Sequence, residues 1–164
     1  GVCLVSDVDT NTSLNYSKLH DEDWLTNRCR WISDGSDALL YVTNSNILNI
    51  YDAEKNLKVL KSPIQLDDQY THWIDVCPTT SNLVAAAGTD GNIKIYDRRE
   101  ANITQTIDPS HSNRIHSVRW SPNGSQLVTA SQDKTAKIVD FGTGKVISTL
   151  KTSDETVAYS ACFI

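Results

Sequence analysis

The chain has 164 residues and carries 20 acidic side chains against 15 lysine and arginine side chains, which gives a formal net charge of −5. This acidic balance argues against nucleic-acid binding, which depends on neutralising phosphates with basic side chains. No apolar run is long enough to cross a bilayer and no signal peptide opens the sequence, so we expect no membrane partner.

Short β-favouring segments separated by polar turns run through the chain and predict an all-β protein. The first segment is predicted to contain the third and fourth strands of a four-stranded unit. Three complete units follow, of which the first is the most degenerate and the last the best preserved. The final segment aligns with a first strand only. The predicted bounds of these five segments are 1–19, 20–62, 63–108, 109–151 and 152–164.

The unit at 109–151 shows the pattern most clearly. A cluster of turn-forming residues, Ser121-Pro122-Asn123-Gly124, separates its first two strands. The other connections are equally short, as in β-hairpins, so the unit is predicted to be an antiparallel meander. Its four strands are predicted at 115–120, 127–130, 136–139 and 146–150.

A strand pattern that ends in aspartate recurs along the chain. G-N-I-K-I-Y-D aligns with K-T-A-K-I-V-D, with N-I-L-N-I-Y-D and with G-V-C-L-V-S-D. The terminal aspartates, Asp7, Asp52, Asp97 and Asp140, lie 45, 45 and 43 residues apart. A period of about 40 to 45 residues with four strands is that of a blade in a WD-repeat β-propeller. The chain resembles this family over essentially its whole length.

The resemblance implies an arc of four-stranded antiparallel blades. The Trp-Asp pair that names the family has changed to Tyr51-Asp52, Tyr96-Asp97 and Val139-Asp140. Three complete blades and their flanking strands fall short of the usual ring of about four to eight blades, so we expect an incomplete ring. An arc leaves blade faces open to water. We therefore expect closure by missing chain or by a second copy.

His111, Ser131 and Asp133 permit two interpretations. They are the residue types of a hydrolase triad, but no G-x-S-x-G elbow presents the serine as a nucleophile. In WD-repeat proteins a similar trio forms a structural hydrogen-bond network that ties the incoming loop to the blade, and we favour this interpretation. We therefore predict no catalytic residues and a chain that is not an enzyme. An enzyme-type propeller is the disfavoured alternative.

Four cysteines, Cys3, Cys29, Cys77 and Cys162, are widely spaced and form no C-x-x-C motif. No matching histidine pair accompanies them, so we predict neither a metal nor a cofactor. Free cysteines placed in or beside strands behave as small hydrophobic residues and are typical of a reducing compartment. We therefore expect the protein in the cytoplasm or the nucleus.

The resemblance also selects candidate partner-binding residues. In similar propellers the upper face collects, from each blade, two residues at the entry to the first strand and the residue before the turn aspartate. Such surfaces bind other proteins or peptides, and tyrosine and arginine are the usual hot spots. The positions are Leu25, Asn27 and Asn44 in the first complete blade, Tyr70, His72 and Thr89 in the second, Arg114, His116 and Gln132 in the third, and Val157 and Tyr159 in the terminal segment.

A second hypothesis concerns Tyr96-Asp97-Arg98-Arg99. The segment resembles the W/Y-D-x-R box with which substrate receptors of cullin-RING ubiquitin ligases dock on their adaptor. Arg99 would pair with an acidic adaptor surface. Much of this box is the ordinary pattern of a WD blade, and the added information is one arginine. The sequence therefore favours a non-enzymatic scaffold and keeps a ligase substrate receptor, acting through Tyr96, Asp97 and Arg99, as the alternative.

Overall fold

A computed structural model describes residues 2–7, 12–18, 26–32, 38–43, 46–52, 58–59, 64–66, 70–107, 111–153 and 156–164. For 2–7, 12–18, 26–27, 38–43, 52 and 58–59 the description is limited to the backbone. The described parts form strands and turns without an α-helix, as the sequence predicts. In particular, no helix in these ranges is long and apolar enough to cross a membrane.

The strands follow one another as antiparallel meanders. They are β1 (Val2–Asp7), β2 (Thr12–Lys18), β3 (Thr26–Trp31), β4 (Ala38–Thr43), β5 (Ile47–Asp52), β6 (Lys58–Val59), β7 (Ile64–Gln65), β8 (Thr71–Val76), β9 (Leu83–Gly88), β10 (Ile93–Asp97), β11 (Asn102–Ile107), β12 (Ile115–Trp120), β13 (Gln126–Ser131), β14 (Thr135–Asp140) and β15 (Val146–Lys151).

Four sheets result. The strands β1 and β2 pair with each other, β8 to β11 form a four-stranded sheet, and β12 to β15 form another. The fourth sheet contains β3, β4 and β5, with both β6 and β7 beside β5. We call the sheets β3–β7, β8–β11 and β12–β15 blades 1, 2 and 3. First strands of successive blades are neighbours, because β3 contacts β8 and β8 contacts β12.

The fourth strand of blade 1 differs from the prediction, which placed one strand at 57–60. In the structure it consists of two short pieces, β6 and β7, that pair with opposite ends of β5. Two residues of β5, 49 and 50, lie between these pairings, whereas four residues, 60 to 63, lie between the two pieces. The unequal lengths interrupt the ladder. Since β7 belongs to blade 1, the boundary predicted after residue 62 lies beyond residue 65.

The terminal segment also differs from the prediction. Residues 156–164 run past blade 3 without strand structure, although 158–163 were predicted to form a first strand. The segment is attached by single bonds: the Ala158 N–H donates to the Ser131 carbonyl at 3.2 Å and the Ala161 N–H to the Ser117 hydroxyl at 3.2 Å. A strand requires a continuous ladder with a neighbour, and no described segment provides one.

Equivalent turn positions adopt the same backbone conformation in different blades. The first residue of the aligned aspartate-ending pattern, six positions before the aspartate, has a left-handed backbone in all three blades, with φ of 58° at Asn46, 76° at Gly91 and 68° at Lys134. The turn after the third strand repeats in the same way, with φ of 56° at Ala101 and 68° at Gly144. These residues stand at matching places in the alignment of the aspartate-ending strands. The turn geometry therefore confirms the alignment.

The hydrophobic core lies between blades rather than inside one. On β9, Val84 and Ala86 face a buried cluster shared with blade 1, whereas Ala85 and Ala87 face one shared with blade 3. This alternation is the two-residue period of a strand that is buried on both faces. Burying apolar area on both sides stabilises each blade against its neighbours, at about 25 cal/mol per Å².

Blade 3 has a face that the described residues leave largely open. Ile93 and Ile95 of blade 2 are fully buried, but the equivalent Ala136 and Ile138 of blade 3 are partly exposed. On the adjoining strand, Leu150 is 57% exposed. The three blades thus form an open arc, as predicted from the strand count.

Candidate functional site

The predicted upper-face residues of blades 2 and 3 are held together by the same backbone hydrogen bond. In blade 2 the Thr89 N–H donates to the Tyr70 carbonyl at 3.1 Å, and in blade 3 the Gln132 N–H donates to the Arg114 carbonyl at 3.0 Å. Each bond ties the turn between the second and third strands to the entry of the first strand. The residues selected from each of these blades therefore lie at one edge of the sheet.

A β-bulge shapes the same edge. In every blade one extra residue breaks the register between the first and second strands, and that residue is Asn27, His72 or His116. A bulge bends its strand and re-aims the side chain of the extra residue. The three positions were selected from the sequence as upper-face residues. The sequence pattern did not reveal that they are bulges.

Aromatic rings from two blades and the terminal segment form a row along this edge. The ring centroids of His72 and His116 are 6.4 Å apart, and those of His116 and Tyr159 are 5.1 Å apart. Tyr70 and Tyr159 are 62% and 70% exposed. We call Tyr70, His72, Arg114, His116 and Tyr159 the upper-rim surface.

The electrostatics of the upper-rim surface favour neutral histidines beside a cation. Burial, followed by the positive charge of Arg114, lowers the pKa of both His72 and His116 below the ordinary value of 6.5. The Nε2 atom of His72 is buried and has no hydrogen-bond partner among the described residues. The surface therefore combines exposed tyrosine rings, an exposed arginine and two partly buried histidine rings.

The other predicted upper-face positions are less informative. Leu25 and Asn44 lie outside the described residues, and only the backbone of Asn27 is described. Thr89 and Val157 are partly exposed, and Gln132 is exposed.

A hydrogen-bond network links His111 to the turn between β13 and β14. The Nδ1 atom of His111 is 2.8 Å from Oδ2 of Asp133, and its Nε2 atom is 2.7 Å from the Thr129 hydroxyl. The other Asp133 oxygen, Oδ1, accepts hydrogen bonds from the Thr135 hydroxyl and N–H at 2.5 and 3.0 Å. The network ties the segment before β12 to the second and third strands of blade 3.

One member of the predicted trio has a different role from the expected one. The hydroxyl groups that contact the His111 ring belong to Thr129, at Nε2, and to Thr135, at 3.1 Å from Nδ1, and not to Ser131. Ser131 instead donates to the Arg114 carbonyl at 2.8 Å and accepts from the Asp133 N–H at 3.0 Å. Residues two apart on a strand share a face, so the sequence could not decide which hydroxyl meets the ring.

The charge states of this pair follow from burial and hydrogen bonding. Burial lowers the pKa of His111 below its ordinary value of 6.5, although the Asp133 carboxylate acts in the opposite direction. Burial would raise the pKa of Asp133, but hydrogen bonds from Thr135 and His111 outweigh it and bring the pKa to about 2. We assign the proton of the neutral ring to Nδ1, which donates to Asp133, so that Nε2 accepts from Thr129.

The Tyr96-Asp97-Arg98-Arg99 segment lies where β10 ends. Tyr96 is buried, whereas the Arg99 side chain is 60% exposed. Arg99 donates two hydrogen bonds to Asp97, from Nη2 to Oδ2 at 2.8 Å and from Nε to Oδ1 at 3.2 Å. The side-chain hydrogen bond from Arg99 is the largest influence on Asp97 and lowers its pKa to about 2. Arg99 is thus accessible and already paired within the segment.

The described residues include no group of three or more histidine, cysteine, aspartate or glutamate side chains that could hold a metal ion. The described residues also contain a charged cluster that the sequence did not predict. It brings together Arg28, Trp73 and Arg119 from three different blades. The alignment of the first strands, which places these residues on a common face, is the signal that could have revealed it.

The family and the fold follow from comparison with known proteins. A family model described as the NUP159/214 beta propeller matches residues 9–162. Among solved structures, the crystal structure of the WD40 beta propeller domain of Doa1 superposes with a TM-score of 0.73 and 16% sequence identity. That superposition covers 87% of this chain and 45% of the Doa1 chain. It supports the propeller fold.

Individual relatives carry the same repeat. WD repeat-containing protein 1 of Gallus gallus is 43% identical over 70 residues, which are 42% of this chain and 12% of that protein. WD repeat-containing protein AAC3 of Dictyostelium discoideum is 29% identical over 152 residues, 86% of this chain and 31% of that protein. The Denticleless protein homolog of Gallus gallus is 33% identical over 89 residues, 51% of this chain and 12% of that protein.

This chain therefore spans less than a third of the length of each of these relatives. The fold is supported by the repeat period, the turn geometry and the blade topology, and the family by the matching family model and the named relatives. The resemblance to WD-repeat propellers is confirmed, and the chain belongs to the NUP159/214 beta propeller family.

Proposed function

We propose that this chain is part of a non-enzymatic scaffold that binds other proteins or peptides through the upper-rim surface. The observation that carries the proposal is the row formed by His72, His116 and Tyr159, which joins two blades and the terminal segment into one continuous surface. Repeat proteins bind through surfaces built from equivalent positions of successive repeats. His72 and His116 of the row occupy equivalent positions in blades 2 and 3.

The chemistry of the row suits protein binding. Tyr70 and Tyr159 present large rings to solvent, and tyrosine supplies much contact area at a small entropic cost. Arg114 is exposed beside them. An acidic or backbone-carbonyl group on the partner would complement the exposed Arg114. We expect the partner segment to carry such acceptors.

The free thiols of Cys29, Cys77 and Cys162 suit a cytoplasmic or nuclear setting.

The test is a comparison of bound proteins between variants. A chain with Tyr70→Ala, Arg114→Ala and Tyr159→Ala is compared with the unchanged chain and with a control that carries Lys145→Ala and Thr143→Ala, two exposed positions on the turn after β14. We expect a specific set of co-purifying proteins to be lost from the upper-rim variant alone. Equal sets in all three samples would contradict the proposal. Unchanged melting of the variants excludes unfolding as the cause.

Docking to the adaptor of a cullin-RING ligase is the second candidate function. The exposure of Arg99 favours it, since a guanidinium at the surface can reach an acidic partner. The two hydrogen bonds to Asp97 hold the side chain in place but leave other donors of the guanidinium for a partner. Arg99→Ala should abolish adaptor co-purification, whereas Lys145→Ala should not. Adaptor binding that survives Arg99→Ala would eliminate this function.

A further inference from the structure

The first strands of three blades bring five side chains into one cluster. The pairing of first with second strands makes Arg28 and Trp73 equivalent in blades 1 and 2, and it makes Arg30, Asp75 and Arg119 equivalent in blades 1, 2 and 3. All five lie on the same face of their strands, because residues two apart share a face. We call this group the Arg–Trp cluster.

The cluster is organised around the indole ring of Trp73. The guanidinium carbon of Arg28 lies 3.6 Å from the ring centroid, that of Arg119 lies at 5.3 Å and that of Arg30 at 5.8 Å. Guanidinium groups near an aromatic face are held by cation–π attraction and stacking. A stacked guanidinium keeps its N–H donors in the plane of the group, where they are directed to the sides. The cluster therefore holds several donors in defined orientations.

The positive charge of the cluster is only partly balanced. Its three guanidinium groups and one carboxylate leave two positive charges in excess. Both oxygens of Asp75 are already used, since Oδ1 accepts from Arg30 Nε at 2.9 Å and Oδ2 accepts from the Trp120 N–H at 2.9 Å. Burial, followed by the charges of Arg30 and Arg119, lowers the pKa of Arg28. The arginines repel one another in this arrangement, although the whole chain is acidic.

Four buried donors in the cluster lack acceptors. They are Nε of Arg28, Nη2 of Arg30, Nε of Arg119 and Nε1 of Trp73, and none has a hydrogen-bond partner among the described residues. Buried donors are almost always paired in folded proteins, because leaving them unpaired is unfavourable. A cluster of such donors with excess positive charge indicates that an acceptor with negative charge belongs there.

We propose that the Arg–Trp cluster binds a phosphate-type oxyanion, either free phosphate or a phosphate ester carried by a partner. A phosphate carries about 1.5 to 2 negative charges at pH 7 and three strong acceptor oxygens, which match the two excess positive charges. A single carboxylate would supply half of that charge. Arginine forks are the preferred protein groups for this chemistry. The site is separate from the upper-rim surface and does not depend on the proposed scaffold function.

The test is titration of the purified chain with inorganic phosphate and, in parallel, with O-phosphoserine, followed by calorimetry at constant ionic strength. Arg28→Gln and Arg119→Gln should each weaken binding about tenfold or more, because each removes a charge-assisted hydrogen-bond donor. Trp73→Leu should weaken binding by removing the stacking platform. Lys145→Gln, which makes the same change in net charge at an exposed turn, should leave the affinity unchanged.

The outcomes separate the sources of the anion. Tighter binding of O-phosphoserine would identify a phosphorylated partner, and tighter binding of inorganic phosphate would identify a free anion; either result supports the site. Equal affinities for the unchanged chain, Arg28→Gln and Arg119→Gln would overturn the proposal, since they would show non-specific attraction only. So would the absence of measurable binding at millimolar phosphate. Circular dichroism without phosphate checks that each variant is folded.

Discussion

The imidazole of His111 and the carboxylate of Asp133 form a hydrogen bond of 2.8 Å between residues separated by 22 positions in the chain. The His111 side chain is fully buried and that of Asp133 is 8% exposed. The bond joins the segment that enters blade 3 to the turn between its second and third strands. It is therefore a contact that only the folded blade can make.

Asp133→Ala should destabilise the chain by about 1 to 3 kcal/mol, because it leaves His111 and the Ser112 N–H without their acceptor. Chemical denaturation of the variant and the unchanged chain measures the difference. Lys145→Ala serves as the control, since its side chain is exposed. A variant as stable as the unchanged chain would show that the network contributes nothing to the stability of blade 3.

Thr129→Val should change the nitrogen chemical shifts of the His111 ring, whereas Ser131→Ala should not. The Thr129 hydroxyl is 2.7 Å from Nε2, but Ser131 bonds to the Arg114 carbonyl. Nitrogen chemical shifts of the imidazole, measured by NMR, report the hydrogen bond at Nε2 directly. A shift change in Ser131→Ala of the same size as that in Thr129→Val would assign the contact to the serine instead.

Stability should fall as the pH is lowered below about 6.5, because burial lowers the pKa of His111 in the folded chain. Below that pH the unfolded chain binds a proton that the folded chain does not. The pKa values of His72 and His116 are lowered too and act in the same direction. A second loss is expected between the ordinary pKa of 3.8 and about 2, where Asp133 becomes protonated.

Urea denaturation at a series of pH values between 7.5 and 5 measures the first of these losses. Each histidine contributes at most about 1.4 kcal/mol per pH unit. His116→Gln removes one titrating group and should make the dependence less steep. Stability that increases as the pH is lowered from 7.5 to 5 would contradict the prediction.

Ala101→Gly should stabilise the chain by about 0.5 to 1 kcal/mol, because alanine is strained at a positive φ and glycine is not. Ala101 has a φ of 56° and is exposed, so no packing is lost. The reciprocal control is Gly144→Ala at the equivalent position of blade 3, where φ is 68°. We expect that change to lower the melting temperature. Changes in the same direction for both variants would contradict the assignment of equivalent turns.

Gly88→Ser should destabilise blade 2 by about 1 to 3 kcal/mol, although serine stands at the equivalent position of blade 3. A Cβ atom at Gly88 would lie 1.9 Å from the Tyr70 carbonyl oxygen, so the backbone would have to move. The same movement would disturb the bond from the Thr89 N–H to that carbonyl. Thermal unfolding detects the loss. An unchanged melting temperature would mean that the backbone before β8 can move to accommodate the serine without loss of stability.

Much of the fold was determined by local signals in the sequence. The spacing of Asp97 and Asp140 and the turn residues between strands predict where the third strands of blades 2 and 3 end. These signals are local because a side-chain period of two and a positive φ are properties of a few neighbouring residues. For the same reason the alignment placed His72 and His116 at equivalent positions before any contact between blades was known.

Contacts between blades were decided by the tertiary structure alone. Arg28, Trp73 and Arg119 belong to three repeats, and whether they meet depends on how closely the first strands pack. Only packing distances show that Thr129, and not Ser131, reaches His111, since both lie on one face of β13. The sequence by itself determined the repeat, its turns and the positions at its edges. The tertiary structure decided which positions touch, because side-chain contacts between residues 18 to 45 positions apart depend on how strands pack within and between blades rather than on local pattern.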